Sequence, residues 1–255
     1  MIIAATDNNI SEIKEFCKSS LLGNKIICLT ECYGFGYDFL KTFLLYDESN
    51  ALEGIFTVFY GNVTVFCDET ADVGEIKAFL ELYGFASITA EPEFFALNEM
   101  EGYELKQAYK YSESSADEAA QNAQEKDYKE VYNLISKNIP GSFSGTKEAY
   151  LSWLSDFTFR NLRGFARMKC VRVSDLIVSC ALTAAESEYA AIISGVACSE
   201  EKRKSGAGKS VVLTLADELK NENKDVYVIA LNSAAEGFYE HIGFEKYGSV
   251  AIMER

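Results

Sequence analysis

The sequence has little of the chemistry that metal sites and disulfide frameworks need. Its 255 residues include one histidine, two prolines and one tryptophan. The seven cysteines are odd in number, form no CxxC pair and mostly lie in apolar runs such as KIICLT. A zinc site needs histidines or closely spaced cysteines, and His241 has no such neighbour. We therefore expect reduced core cysteines and no bound metal.

The chain also lacks a long apolar run. No segment approaches the roughly 18 to 20 uninterrupted apolar residues that a membrane helix needs. The first residues, MIIAATDNNISEIKEF, turn acidic too early for a secretory signal. We expect a cytoplasmic protein without a membrane partner.

Positive charge is scarce and unevenly spread. The net charge at pH 7 is -15; residues 1–115 hold 7 lysines and no arginine against 19 acids, and the remainder holds 17 basic against 20 acidic residues. Nucleic acids and anionic membranes are repelled by a surface of their own sign and are not expected as partners. The asymmetry favours two domains, with the second better suited to a phosphorylated ligand. Acids that merely keep the first domain soluble explain the asymmetry equally well.

The polar segment at 111–124, YSESSADEAAQNAQ, predicts a linker between a first domain at 1–115 and a second domain at 116–255. In the first domain, apolar patterning predicts helices at about 10–19 and 72–82 and strands at 25–30, 52–59 and 62–67. In the second, two helices precede three antiparallel strands; a glycine loop, a helix, a strand, a short helix and a last strand follow. The fold class that this order indicates is α/β (α+β).

An internal echo suggests that the two domains are copies of one fold. The segments EIKAFLELYGFASI (75–88) and AAEGFYEHIGFEKY (234–247) both place an aromatic-rich helix before a Gly-Phe pair. Helices that end in glycine are common, so coincidence accounts for the echo equally well.

The stretch RKSGAGKS (203–210) ends like a nucleotide-binding P-loop. That motif, G-x-x-x-x-G-K-[ST], requires glycine where Arg203 stands, and the strand VYVIAL runs into Asn232 rather than a magnesium-binding aspartate. A second template, R/Q-x-x-G-x-G/A, is met by Arg203, Gly206 and Gly208. Its glycines let main-chain amides at a helix N-terminus approach a diphosphate without magnesium.

A second motif, NSAAEGFYEHIGF (232–244), follows the loop. Together the two segments resemble the GNAT superfamily of acyl-CoA-dependent N-acyltransferases, whose N-x-x-A-x-x-F-Y-x-x-x-G-F segment is matched at Asn232, Ala235, Phe238, Tyr239, Gly243 and Phe244. The resemblance covers residues 125–255 and implies a mixed central sheet flanked by helices, with two GNAT-like domains if the echo is real. It makes 116–255 a catalytic domain that binds acetyl-CoA, and 1–115 either a degenerate GNAT-like copy or a scaffold. Two departures are Glu200, where proline is frequent, and Lys204, where glycine is frequent.

The resemblance also implies a binding site for acetyl-CoA, the acyl donor. The diphosphate would bind the amides of residues 204–209, the pantetheine arm would pair with the backbone of Val196 and Cys198, and Asn232 would steady that arm. The implied cofactor-binding residues are Val196, Cys198, Arg203, Lys204, Ser205, Gly206, Ala207, Gly208, Lys209 and Asn232. Taken singly, the glycines fit a plain loop and the aromatics fit a core.

Acyl transfer to an amine needs an amine without its proton, a stabilised oxyanion and a proton for the leaving thiolate. The resemblance assigns the proton donor to Tyr239, since a phenol with an ordinary pKa of about 10 is protonated at neutral pH. The amide of Val196 or Cys198 would polarise the carbonyl. No base is evident: Glu186 or Glu188 would act through water, or the amine would arrive neutral.

The sequence therefore predicts an N-acetyltransferase that acts by direct attack of a primary amine on acetyl-CoA. The acceptor is a small molecule or a peptide, and the acidic first domain favours a cationic one. An acyl-CoA sensor without turnover, whose acidic domain contacts a protein, is the alternative. An ATP-dependent switch is the third hypothesis. The sequence assigns neither the acyl chain length nor an oligomeric state.

Overall fold

The computed structural model describes residues 1–112, 120–139 and 143–255, which form two compact units. The first unit comprises Met1–Ala108, Ala230–Ser233 and Lys246–Arg255, and the second comprises Tyr109–Ile229 and Ala234–Glu245. Half of the predicted linker, 113–119, lies outside the described residues, so the linker and the boundary at 115 stay predictions. Within the described ranges, no helix combines the length and the apolar character needed to cross a membrane.

The first half of the chain alternates helices with short strands. Its elements are β1 (Ile2–Ala4), α1 (Ile10–Cys17), α2 (Leu21–Tyr33), β2 (Leu40–Tyr46), β3 (Leu52–Phe59), β4 (Asn62–Cys67), α3 (Val73–Tyr83), β5 (Ser87–Ala90), α4 (Pro92–Leu97) and β6 (Glu104–Tyr111). The second half continues with β7 (Gln121–Asn122), α5 (Tyr128–Asn138), α6 (Lys147–Leu162), β8 (Met168–Val173), β9 (Leu176–Glu186), β10 (Ala190–Cys198), α7 (Ala207–Asn221), β11 (Asp225–Ile229), α8 (Ser233–His241) and β12 (Phe244–Glu254).

The sheet of the first unit has the strand order β1-β2-β3-β4-β5-β12. All neighbours are antiparallel except β4 and β5, which are parallel and are joined through α3. Phe43, Phe56, Ile76 and Phe95 belong to a core in which α3 and α4 pack on one face of this sheet. The segment at 246–254, from the C-terminal end of the chain, supplies the strand beside β5.

The sheet of the second unit has the order β11-β10-β9-β8-β7. The strands β8, β9 and β10 form the predicted antiparallel meander, and β10 pairs with β11 in parallel after the crossover through α7. Val131, Ile135 and Phe157 pack from α5 and α6 on this meander. Each unit thus has antiparallel strands, a helical crossover, a parallel strand and a short helix, and the predicted mixed sheet flanked by helices is confirmed.

The predicted strand at 25–30 is wrong, because these residues lie inside α2. A short apolar run does not distinguish a strand from a buried helix, and this helix is buried on nearly every side. The signal that separates the two is Ser20, whose side chain accepts a hydrogen bond from the amide of Gly23 at 3.3 Å and caps the helix.

The echo between 75–88 and 234–247 also needs correction. Its first segment contains α3, the crossover helix of the first unit, whereas its second contains α8, which follows the parallel strand of the second unit. The counterpart of α8 by order is α4, and the counterpart of α3 is α7. The repetition therefore lies in the order of elements, and the two Gly-Phe pairs do not occupy equivalent places.

Candidate functional site

The strand β10 continues beyond its pairing with β11. The parallel register ends at Ile193, opposite Val228, whereas β10 extends to Cys198. Val196 and its two preceding residues are half-buried. In the described register, residues 194–198 therefore have no partner on the β11 side, and their backbone is available to an extended ligand.

A β-bulge lies inside this stretch. The register of β10 against β9 shifts between Ser194 and Ala197. Gly195 has a φ of +57°, and a Cβ there would approach Leu182 within 3.0 Å and Ile135 within 3.2 Å. Only glycine fits both the conformation and the space. The bulge interrupts the ladder at the point where β10 leaves β11.

The helix α7 begins without a side-chain cap among the described residues. Its N-cap is Gly206, with a φ of +90°. The first helical bond runs from the amide of Ser210 to the carbonyl of Gly206, at 2.9 Å. The amides of Ala207 and Gly208 precede it and have no intrahelical acceptor. Together with the partial positive charge of the helix terminus, they form a binding point for an anion.

The turn before α7 is cationic and exposed. Lys204 has a φ of +62°, in the left-handed region that favours glycine. This conformation explains why glycine is frequent at that place in the motif. The Ser205 hydroxyl donates to the carbonyl of Lys202 at 2.7 Å, which closes the turn. A guanidinium nitrogen of Arg203 donates to Asn138 at 3.3 Å, at the end of α5.

Tyr239 lies on α8 and is 6% exposed. Its ring packs against Phe238, Phe244 and Tyr109, with centroids 5.3, 5.6 and 6.2 Å away. Burial raises the pKa of its phenol to about 12. Phe238 in turn lies beside α7, since a Cβ on Gly208 would be 3.7 Å from its ring. The helix that carries Tyr239 therefore packs at the uncapped end of α7.

The Tyr239 hydroxyl has no hydrogen-bond partner in the described part of the chain. Its oxygen keeps some exposed surface, unlike the fully buried polar atoms without a partner. A buried phenol normally finds a partner. An open donor at this place is suited to a group that arrives with a ligand.

The comparisons with known proteins agree with this geometry. The family model of FR47-like proteins matches residues 175–252, which include β10, the turn, α7 and α8. No curated protein sequence matches the chain. Among solved structures, an acetyltransferase of the GNAT family from Colwellia psychrerythraea is 16% identical, with a TM-score of 0.58 over 100% of both chains. The chain has the GNAT fold.

Two further GNAT structures cover the whole chain. A tandem GNAT protein from the clavulanic acid biosynthesis pathway is 11% identical, with a TM-score of 0.64 over 100% of this chain and 98% of the other. A GCN5-related N-acetyltransferase from Sphaerobacter thermophilus is 12% identical, with a TM-score of 0.63 over 100% and 95%. The predicted resemblance to the GNAT superfamily is confirmed, and the tandem neighbour fits two GNAT-like domains.

The predicted GNAT cofactor residues fall into three places. Seven of them form the continuous stretch Arg203–Lys209, which is the turn and the first turn of α7. Val196 and Cys198 lie on the end of β10 that has no partner on the β11 side. Asn232 is exposed after β11 and belongs to the first unit, so its contact with the pantetheine arm remains a prediction.

The Cys198 thiol and the His241 imidazole lie on β10 and α8, two elements of the candidate site. Burial raises the pKa of the Cys198 thiol, which disfavours a nucleophilic thiolate. His241 lies exposed in the last turn of α8. Among residues 1–112, 120–139 and 143–255, no three potential metal ligands are grouped closely enough to hold an ion.

Neither predicted carboxylate is placed to act as the base. Glu186 is 1% exposed and pairs with Arg167 at 2.5 Å and Lys224 at 2.6 Å. Glu188 lies at the turn before β10, and six or more residues of strand, roughly 20 Å, separate that turn from Val196. One bridging water does not span this distance, and the other hypothesis, that the amine arrives neutral, stays a prediction.

Sequence reasoning missed two residues that shape the candidate site. Gly195 stands in the strand run EYAAIISGVAC, where an isolated glycine is a usable signal for a bulge. Tyr109 contacts Tyr239 from 130 positions away in the chain. Such a contact leaves no local pattern.

Proposed function

We propose that the protein is an acyltransferase that transfers an acetyl group from acetyl-CoA to a primary amine. The observation that carries the proposal is that one unit holds the end of β10 that is unpaired on the β11 side, the uncapped start of α7 and the unpartnered Tyr239 hydroxyl. An extended amide-bearing arm, a diphosphate and a leaving thiolate need these three features in turn.

The residues of the turn fit coenzyme A. The amides of Ala207 and Gly208 would bind the diphosphate, with added positive charge from Lys202, Arg203 and Lys204. The backbone around Val196 would hold the pantetheine arm as an added strand and would place an amide at the thioester carbonyl. When bound, acetyl-CoA supplies an activated acyl group, so the chain needs no covalent nucleophile of its own.

Tyr239 would donate the proton. As the amine nitrogen bonds to the carbonyl carbon and the carbon–sulfur bond breaks, the phenol gives its proton to the sulfur, and the amine loses one to solvent. With a pKa of about 12, Tyr239 is fully protonated at neutral pH. A thiol has an ordinary pKa of about 8.5, well below that of the phenol, so the phenolate that this transfer leaves takes a proton back from solvent and Tyr239 is restored.

We further propose a cationic acceptor, because residues 1–115 carry 7 lysines against 19 acids. A panel of polyamines, neutral amines and acidic amines tests this point. Basic acceptors should react fastest at low salt, and equal rates across the panel would remove the charge argument while leaving the reaction in place.

The first prediction concerns Tyr239→Phe, which keeps the ring and removes the hydroxyl. Thiol release from acetyl-CoA should fall by about 100-fold or more, as expected for a general acid. Coenzyme A should still raise the melting temperature of the variant, because the α7 turn is untouched. Tyr60→Phe, at an exposed side chain, serves as control.

The outcomes separate the hypotheses. A wild-type protein that is stabilised by coenzyme A but releases no thiol with any amine would support the sensor. Stabilisation by magnesium-ATP and not by coenzyme A would support the nucleotide switch.

A further inference from the structure

Tyr109 holds two consecutive residues of α8. It lies near the end of β6, is 0% exposed and belongs to the same unit as α8. Its ring centroid is 6.2 Å from that of Tyr239, and its hydroxyl donates to Oε1 of Glu240 at 3.1 Å.

Contacts with two neighbouring residues of a helix restrict its rotation about its axis as well as its position. Successive side chains on an α-helix point about 100° apart around the axis. Two contacts on neighbouring residues restrict rotation more than one does, and Tyr109 meets Tyr239 on one side and Glu240 on the next. The direction in which the Tyr239 phenol points is therefore tied to the Tyr109–Glu240 bond.

The bond is maintained across the working pH range. Burial, the hydrogen bond to Glu240 and the charges of Glu240 and Glu236 raise the pKa of Tyr109 to about 12. The hydroxyl thus remains a donor wherever the carboxylate is ionised.

A second tyrosine of the same strand makes an analogous contact with α7. Tyr111 lies two positions after Tyr109, on the same face of β6. Its hydroxyl donates to Asp217, and its ring centroid is 5.1 Å from that of Phe244. The end of β6 thus contacts both helices that carry the candidate site. The Tyr109 contact is one of two similar contacts that this strand makes with the site.

We propose that Tyr109 is a positioning residue for Tyr239: through Glu240 it sets the rotation of α8 and so aims the proton donor. The proposal rests on the proposed function of Tyr239. Tyr109 itself touches no reacting atom.

The test compares Tyr109→Phe, which removes the hydroxyl alone, with Tyr46→Phe. Tyr46 is a matched control, because it is also buried and its hydroxyl donates to a carboxylate, Glu12, at 2.6 Å in the first unit. Tyr109→Phe should lower kcat about 10-fold and change the KM for acetyl-CoA less than twofold, and Tyr46→Phe should change neither. A substitution that damaged the coenzyme A turn before α7 would instead raise the KM for acetyl-CoA.

Glu240 supplies the conservative variant. Glu240→Gln retains a side-chain oxygen that accepts the bond and should keep kcat within about threefold of wild type. Glu240→Ala should reproduce the loss in Tyr109→Phe, and the double variant should be no worse than either single one, because both remove the same bond. Additive losses would overturn the proposal.

A second measurement does not depend on turnover. Amide hydrogen exchange in α8 should be faster in Tyr109→Phe than in wild type and unchanged in Tyr46→Phe. Unchanged exchange, or a kcat within twofold of wild type while Tyr239→Phe remains impaired, overturns the positioning role and leaves the proposed function intact. A wild-type chain that never releases thiol overturns both.

Discussion

At the scale of single residues, the turn before α7 depends on backbone conformations that side chains disfavour. Lys204 and Gly206 both have positive φ, at +62° and +90°. A non-glycine residue in the left-handed region costs about 1–2 kcal/mol. Lys204 carries this conformational cost and places a cation beside the expected diphosphate. Gly206, at the N-cap, has no Cβ and does not carry the cost.

We expect Gly206→Ala to lower the free energy of unfolding by about 1–2 kcal/mol and to weaken binding of coenzyme A. A Cβ at Gly206 meets nothing within 4 Å, so the backbone conformation alone is responsible. Urea unfolding followed by the fluorescence of Trp153, the single tryptophan, measures the change in the second unit.

Gly145→Ala is the matched control, because its Cβ also meets open space but its φ is ordinary. It should change the stability by less than about 0.5 kcal/mol. Equal losses of unfolding free energy in the two variants would show that the positive φ of Gly206 does not cause the effect of Gly206→Ala.

At the scale of elements, an ion-pair network anchors the far end of α7 to the sheet. Arg167 pairs with Glu222 at 2.8 Å, Glu218 at 2.6 Å and Glu186 at 2.5 Å. Glu222 is the C-cap of α7, where the helix dipole disfavours an anion. The cations of Arg167 and of Lys224, 3.0 Å away, offset that cost.

This network predicts a loss of stability in acid. The hydrogen bond from Arg167, followed by those from Lys224, lowers the pKa of Glu222 to about 2. A carboxylate with a lowered pKa stabilises the folded state above its unfolded pKa and loses that contribution as the pH falls from about 5 to 2. Because Glu222 is 42% exposed, solvent screening reduces the effect to about 1 kcal/mol.

The free energies of unfolding of wild type and Glu222→Gln should therefore differ most near pH 6 and converge near pH 2. Glu245→Gln is the control, because it removes an exposed carboxylate whose side chain makes no ion pair or hydrogen bond in the described part of the chain. It should not reproduce the converging difference of Glu222→Gln. A constant difference for Glu222→Gln would contradict the network's role.

The sequence predicted the elements with a clear period and missed those without one. The second unit has amphipathic helices and a meander with short turns, and its helices and strands were located to within a few residues. In the first unit, α2 is apolar on nearly every side, β2 and β5 were not recognised, and burial replaces periodicity as the organising signal. The turn and Tyr239 stand in local motifs that the sequence shows, whereas the contact of Tyr109 joins residues that are distant in the chain.

At the scale of the whole molecule, the first unit is discontinuous in sequence. The segment of β12 at 251–254 pairs with Ala90 through Ser87 of β5, and Ala251 is fully buried. A fragment cut at residue 115 therefore lacks one strand of its own sheet.

We expect deletion of residues 246–255 to lower the free energy of unfolding by at least about 3 kcal/mol, since each lost backbone hydrogen bond costs about 1 kcal/mol. Circular dichroism during thermal unfolding measures the loss. Deletion of residues 1–4 is the control, because it removes the edge strand β1, which pairs only with β2 among the described strands. A smaller loss from the C-terminal deletion would show that β5 does not depend on β12.

The pairing of β12 with β5 also delays completion of the first unit during biosynthesis. Roughly 150 residues separate the two strands, and a ribosome that adds about 5–20 residues per second needs roughly 8 to 30 s to make them. Throughout that interval the nascent first unit presents one side of β5 without its eventual neighbour. We therefore expect the yield of folded protein to depend on translation speed and on chaperones that cover the open edge of β5.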